Sequence, residues 1–205
     1  MLVTLTNTDG LSGTLANGWF ADFLDVDQGD IFHDDVEKLI RNAVTAGCGA
    51  GNYCRNDPVT RAQMAVFLLK SALGAAYLPP DCTGTVFLDV PCTGGPFDAW
   101  VEDLSTRGIT GGCGGGNYCP DSSVTRAQMA AFLLKTDLGA AYEPPACTGT
   151  IFLDVPCTGG IFDPWIEDLS TRGITGGCGG ASYCPGSAAT RGQMAVFLVK
   201  TFELP

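Results

Sequence analysis

The chain is short of basic residues and almost without histidine: 11 lysines and arginines stand against 22 acidic side chains, with a single histidine in 205 residues. A net charge of −11 excludes nucleic acid as a partner, because binding a polyanion of that size needs a basic surface that displaces counterions. One histidine, His33, leaves no repeated general base. No apolar run approaches the roughly 20 residues of a membrane span, so no transmembrane segment is expected. The opening MLVTLTNTDGLSGTLANGWF lacks the basic flank and apolar centre of a signal peptide. The expectation is a removed signal, or the C-terminal piece of a longer secreted chain.

What is present is repetition. GGCGGGNYCPDSSVTRAQMAAFLLK from Gly111 returns as GGCGGASYCPGSAATRGQMAVFLVK from Gly176, and as AGCGAGNYCRNDPVTRAQMAVFLLK from Ala46. Arg61, Arg126 and Arg191 lie 65 residues apart, as do Lys70, Lys135 and Lys200. The chain therefore divides into an extended leader over 1–22 and repeats over 23–70, 71–135 and 136–205. Units this small bury too little surface to stand alone, so a shared core is expected.

Ten cysteines sort into five short-range pairs. Three read C-x5-C (Cys48 and Cys54, Cys113 and Cys119, Cys178 and Cys184). Two read C-x9-C (Cys82 and Cys92, Cys147 and Cys157). The first repeat lacks both members of the second type, as mutual pairing requires. Zinc is the alternative, but the spacings are not C-x2-C and one histidine is too few. Disulfides place the chain in an oxidising compartment, outside the cell or at its surface.

Each repeat carries two helical patterns. Phe97, Trp100, Val101 and Leu104 fall at i, i+3, i+4 and i+7, one apolar stripe. Phe162, Trp165, Ile166 and Leu169 repeat it; Phe32, Val36 and Leu39 follow it with Asp35 in the tryptophan's place. The second helices open on capping boxes, Thr60 with Gln63, Thr125 with Gln128 and Thr190 with Gln193. The glycine-rich stretch between the two patterns follows no buried strand and carries no GK[ST], so it reads as a turn inside a disulfide loop, with no phosphate cradle.

FLDVP, an aromatic-led helix, a glycine turn with ITGG, and VTRAQMAxFLLK together resemble the S-layer homology repeat, in three copies from Phe23 to Lys200. The resemblance implies a mainly α-helical fold: three tandem helix-loop-helix repeats with pseudo-threefold symmetry around a central helical core. It also implies non-covalent anchoring to envelope polysaccharide, often a pyruvylated secondary polymer, without catalysis. The arginine of the family's T-R-A-E motif helps line its glycan grooves, which nominates Arg61, Arg126 and Arg191. Here Gln63, Gln128 and Gln193 replace the motif's glutamate.

The arginines also stand out physically. Each opens a helix, where the dipole disfavours a cation, and so requires a compensating partner. A ligand carboxylate or sugar oxygen is one answer. An ion pair to the FLDV aspartate (Asp25, Asp89 or Asp154) is the other, and these aspartates join the candidate binding set with Trp100 and Trp165. Helical spacing favours core packing for the tryptophans. Tyr53, Tyr118 and Tyr183, inside the disulfide loops, are expected half exposed. DVDQGDIFHDD over 25–35 has the oxygens for calcium but no EF-hand spacing, and a solvated helix start is the simpler reading. Glu102 with Asp103 and Glu167 with Asp168 read as a solvated face, not as a glycosidase pair. No enzyme, resident cofactor or metal is expected.

Two functions follow for such a chain: an anchoring module on envelope polysaccharide, or a self-assembling subunit of a surface layer or extracellular filament. The leader's alternation resembles an edge strand able to pair with another copy.

Overall fold

The computed structural model describes residues 4–6, 12–14 and 23–205. From the leader it describes two short strands, β1 (Thr4–Thr6) and β2 (Ser12–Thr14), antiparallel with Leu5 opposite Gly13. The rest of the leader, with the edge-strand reading of its first residues, lies outside the described residues. Six helices follow: α1 (His33–Arg41), α2 (Arg61–Leu73), α3 (Asp98–Thr106), α4 (Arg126–Leu138), α5 (Asp163–Thr171) and α6 (Arg191–Phe202). The fold is mainly α-helical.

The second helices form the centre. α2, α4 and α6 all touch one another. Each buries residues around most of its circumference; in α4 these are Arg126, Ala127, Met129, Ala130, Phe132, Leu133 and Leu134. Such helices need little amphipathicity because apolar neighbours surround them. Their starts are set by the expected capping boxes. Thr125 Oγ1 accepts from the Gln128 amide at 3.2 Å, and the Gln128 carboxamide oxygen accepts from the Thr125 amide at 3.2 Å. The same reciprocal pair occurs at Thr60 and Thr190.

The pairing of outer with inner helices differs from a simple hairpin. α3 packs on α2, α5 on α4, and α1 on α6, so each pair joins two neighbouring repeats and the last repeat returns to the first. The two helices of one repeat, joined through a disulfide loop, do not pair. The reason lies at the N-termini of the central helices. Their first amides are taken by the next repeat's loop: Arg61 N donates to Ser122 O and Ala62 N to Pro120 O; Arg126 N donates to Ser187 O and Ala127 N to Pro185 O; Arg191 N donates to Asp57 O and Gly192 N to Arg55 O. Orphan donors at a helix start must be satisfied; the third is taken by the repeat's own threonine cap, and the first two are taken by a neighbour. Just before the helices the cycle closes on itself: Val59 N donates to Ala189 O, Ala189 N to Val124 O, and Val124 N to Val59 O, each at 2.9 Å.

All five expected disulfides form, with paired Cα atoms 5.9–6.1 Å apart, and no free cysteine remains among the described residues. The C-x5-C loops turn tightly at their entrance. Gly112 has φ +88°, and a Cβ there would lie 2.9 Å from Phe87 Cε1, so both conformation and space demand glycine. The glycine-rich string is thus a packing feature.

Thr125→Ala is expected to lower stability by about 1 kcal/mol through loss of one cap. Chemical denaturation should show a lower midpoint with an unchanged denaturant slope. An unaltered midpoint would mean that the neighbouring loop alone sets the start of α4.

Candidate functional site

The three helix-start arginines sit at the seams between repeats and are almost completely buried, with Arg61 4%, Arg126 2% and Arg191 4% exposed. Each reaches across its seam to one tyrosine. Arg61 Nε donates to Tyr118 O, Arg126 Nε to Tyr183 O, and Arg191 Nε to Tyr53 O, all at 2.7 Å. The tyrosine hydroxyl answers by donating to the same arginine's carbonyl, at 2.7 Å from Tyr118, 2.8 Å from Tyr183 and 2.9 Å from Tyr53. Every guanidinium also lies between two rings: that of Arg126 is 4.6 Å from the Tyr183 centroid and 5.4 Å from that of Phe197. Arg61 has Tyr118 and Phe132, and Arg191 has Tyr53 and Phe67. A delocalised, weakly hydrated cation suits such aromatic faces.

Burial depresses the pKa of each arginine below its ordinary value and raises that of each tyrosine above its own. Desolvation dominates both. Among the described residues none of the three arginines forms an ion pair with a carboxylate. Arg126 Nη2 and Arg191 Nη2 are buried without a hydrogen-bond partner, whereas Arg61 Nη2 donates to Thr110 Oγ1 at 3.5 Å.

The FLDV aspartates therefore do not serve as direct counter-ions, which corrects the ion-pair expectation. Their carboxylates face the backbone of the loop instead. Asp89 accepts from Tyr118 N and Cys119 N, both at 2.7 Å; Asp154 accepts from Tyr183 N at 2.7 Å and Cys184 N at 2.8 Å; Asp25 accepts from Tyr53 N and Cys54 N, both at 2.7 Å. A left-handed cysteine (Cys119 φ 60°) turns the two successive amides toward one carboxylate. The aspartate binds the amide of the same tyrosine whose carbonyl binds the arginine. The charges couple through one residue rather than by contact.

A second set of acids is also buried, contrary to the solvated-face reading. Glu102 accepts from Thr83 N at 2.6 Å and Gly84 N at 2.8 Å; Glu167 accepts from Thr148 N at 2.6 Å and Gly149 N at 2.8 Å. Each carboxylate lies beside a C-x9-C disulfide, within 4.8 Å of both sulfurs. With the sulfurs oxidised and the oxygens taken up by amides, these groups brace a loop. Asp103 accepts from Tyr77 Oη at 2.7 Å and Arg107 Nε at 3.0 Å, and Asp168 accepts from Tyr142 Oη at 2.8 Å and Arg172 Nε at 3.1 Å.

Trp100 and Trp165 stand beside these latches. Each meets a tyrosine edge-on, Tyr77 at 6.1 Å and Tyr142 at 6.2 Å, with Lys70 Nζ 5.9 Å from the Trp100 ring and Lys135 Nζ 5.5 Å from that of Trp165. Trp165 is buried and Trp100 half-buried. Tyr53, Tyr118 and Tyr183 are fully buried, correcting the half-exposed expectation; each ring is the platform its arginine needs. In the acidic stretch, Asp27 accepts from Gly29 N at 3.0 Å, Asp30 accepts from Phe32 N at 2.8 Å and pairs with Arg55, and Asp34 meets His33. Tyr77, Tyr142, Arg107 and Arg172 were not singled out by the sequence; their 65-residue spacing was the available signal.

Burial acts to raise the pKa values of Asp25, Asp154, Glu102 and Glu167, but the amide donors outweigh it and hold all four below the usual carboxylate range. A folded-state pKa below the unfolded one contributes stability above about pH 4 that disappears as pH falls through the folded value. Asp35 and Asp137, raised by burial, act with the opposite sign. Melting temperature should therefore fall on acidification below about pH 4, with a shallower fall in a Glu102→Gln, Glu167→Gln variant. An equally steep fall in that variant would place the acid sensitivity elsewhere. Tyr118→Phe, which removes the hydroxyl's hydrogen bond to the Arg61 carbonyl across the seam, should cost about 1 kcal/mol in denaturation. A change near zero would show that the carbonyl finds another donor.

The family model of the S-layer homology domain matches residues 22–65 and 96–130. These matches span α1 with the start of α2, and α3 with the start of α4, and so include Arg61 and Arg126. No curated protein shows significant similarity to the chain. Domains of this kind are non-catalytic and attach proteins to polymers of the cell envelope. The disulfides fit an oxidising location, and among the described residues no helix is long and apolar enough to cross a membrane. Over these two segments the chain is similar to the S-layer homology domain, a family that acts in cell-surface anchoring.

Proposed function

We propose that the chain is a non-catalytic module that holds an extracellular protein to an envelope polysaccharide, engaging acidic groups of the glycan at the seams between repeats. One observation carries this reading: three buried guanidinium groups lie at the seams with no carboxylate partner among the described residues, and two of them retain a nitrogen without a hydrogen-bond partner. A buried cation left short of acceptors is unfavourable, and an incoming carboxylate or ketal oxygen supplies what is missing. The chain's overall negative charge opposes distant polyanions, so recognition depends on short-range contact at the seam. Asp25, Asp89 and Asp154 act there as positioning residues that hold the tyrosine platform. Trp100 and Trp165 offer aromatic edges near the outer helices.

The test is co-sedimentation of the protein with purified cell envelope, before and after chemical removal of the wall-linked polysaccharide. Binding should be present before stripping and absent after it. Arg126→Lys keeps the charge but loses the planar fork, and should weaken binding roughly tenfold, the equivalent of one charge-assisted hydrogen bond. Its melting curve, read alongside, separates a lost contact from a lost fold. Binding that survives removal of the polysaccharide would overturn the reading.

A further inference from the structure

We infer that the junction between α1 and α6 is exchangeable, and that the segment 23–57 of one chain can occupy the corresponding seat on a second copy. This goes beyond the anchoring role and does not depend on it.

The argument begins from which residues the segment touches. Its helix α1 pairs with α6, at the other end of the chain, rather than with α2, which follows it directly. Its disulfide loop caps the same distant helix, with Arg55 O and Asp57 O accepting from Gly192 N and Arg191 N. Tyr53 exchanges both hydrogen bonds with Arg191, 138 residues away. Phe32 fills the space over Gly192, where a Cβ would approach its ring to 2.6 Å. Asn42 Nδ2 donates to Pro205 O at 3.3 Å. Contacts toward the segment's own α2 are fewer: Lys70 Nζ donates to Ala43 O at 3.5 Å, and α1 and α2 do not pack on each other. All of these contacts are head-to-tail, so a second copy reproduces each of them unchanged. A heterologous interface of this sort closes within one chain or between chains with the same local chemistry.

This seam is also built differently from the other two. The α2/α3 and α4/α5 seams carry the tyrosine–aspartate–arginine latch and a tryptophan under a lysine. At the matching places in α1 stand Asp35 for the tryptophan, Lys38 for the aspartate and Asn42 for the arginine. The α1 carboxylate aligned with Glu102 and Glu167 is Glu37, which pairs with Arg41 on its own helix. The tryptophan and the aspartate–arginine pair that clamp two seams are therefore replaced at the third, where Asp35 meets Lys200 by charge alone, while the hydrogen bonds that define its register are kept. The link between the exchangeable segment and the central helices is short, running from Asp57 through Pro58 and Val59 to the Thr60 cap.

The test mixes two full-length variants, Asn42→Cys in one chain and Pro205→Cys in the other. The pair is refolded together in a glutathione buffer at low and at high protein concentration. A cross-linked heterodimer should appear on non-reducing gels and rise at least severalfold between the two concentrations, above the dimer formed by either variant alone. In parallel, the unsubstituted chain refolded at high concentration should show by light scattering a species of twice the monomer mass. Its helical circular dichroism per residue should be unchanged. The doubly substituted chain provides the reference for closure within one molecule. If that chain closes on itself and the mixture gives no heterodimer above the single-variant background, the inference is overturned. A strictly monomeric unsubstituted chain at every concentration overturns it as well.

Discussion

Everything in this structure turns on a guanidinium buried without a carboxylate. Removing a cation from water carries a large penalty unless its donors and its charge are answered locally. The answer at Arg126 is composite: a short hydrogen bond to the Tyr183 carbonyl, a longer one to the Gln193 carboxamide oxygen, two aromatic faces, and an aspartate acting at one remove through the tyrosine amide. None of these partners belongs to the arginine's own repeat. Arg61 depends on the second repeat, Arg126 on the third and Arg191 on the first, so the requirement passes around the molecule and returns. Three repeats are bound into one unit because no single repeat satisfies its own cation.

The long connections are held by an equivalent rule. They contain few regular strands, so their amides lack a ladder to pair with. Carboxylates take that place. Asp89 and Asp154 gather the amides at the exit of the C-x5-C loops, and Glu102 and Glu167 gather those inside the C-x9-C loops. Disulfides limit the freedom of the same segments in the unfolded chain. The acidic composition thus has a structural component: many of the carboxylates that set the net charge are acceptors for loop backbone. A surplus of acid over base is what a fold rich in amide-gathering loops requires.

Much of this was legible from sequence, and the failures have a common cause. Capping boxes, apolar stripes and cysteine spacings are local, and local physics determines them, so the starts of α2, α4 and α6 and all five disulfides were read correctly. Pairing of helices is not local. Within one repeat the two helical patterns look like a hairpin, and only the demand of the helix-start amides and arginines for a neighbour's carbonyls sends the partner to the next repeat. The tyrosines were misplaced for the same reason: NYC inside a glycine-rich loop resembles a surface turn until Arg61, Arg126 and Arg191 arrive from another repeat to cover Tyr118, Tyr183 and Tyr53. Glu102 and Asp103 fell on the polar side of the α3 stripe, which ordinarily means solvent. A returning loop and Tyr77 from the preceding connection cover that side, and nothing in the stripe announces them.

The first repeat shows how much of the design is obligatory. It keeps the arginine–tyrosine exchange, the FLDV aspartate and the C-x5-C disulfide without change. It discards the C-x9-C disulfide, the tryptophan and the latch, and holds its acidic loop by an ion pair between Asp30 and Arg55. The retained arginine–tyrosine exchange connects one repeat to the next, and the retained aspartate and disulfide hold the tyrosine's loop for it; the discarded parts brace the outer helix. Connection between repeats is therefore the invariant of the architecture. Bracing of the periphery is variable, and a chain that relaxes it at one seam keeps the fold while making that seam unlike the other two.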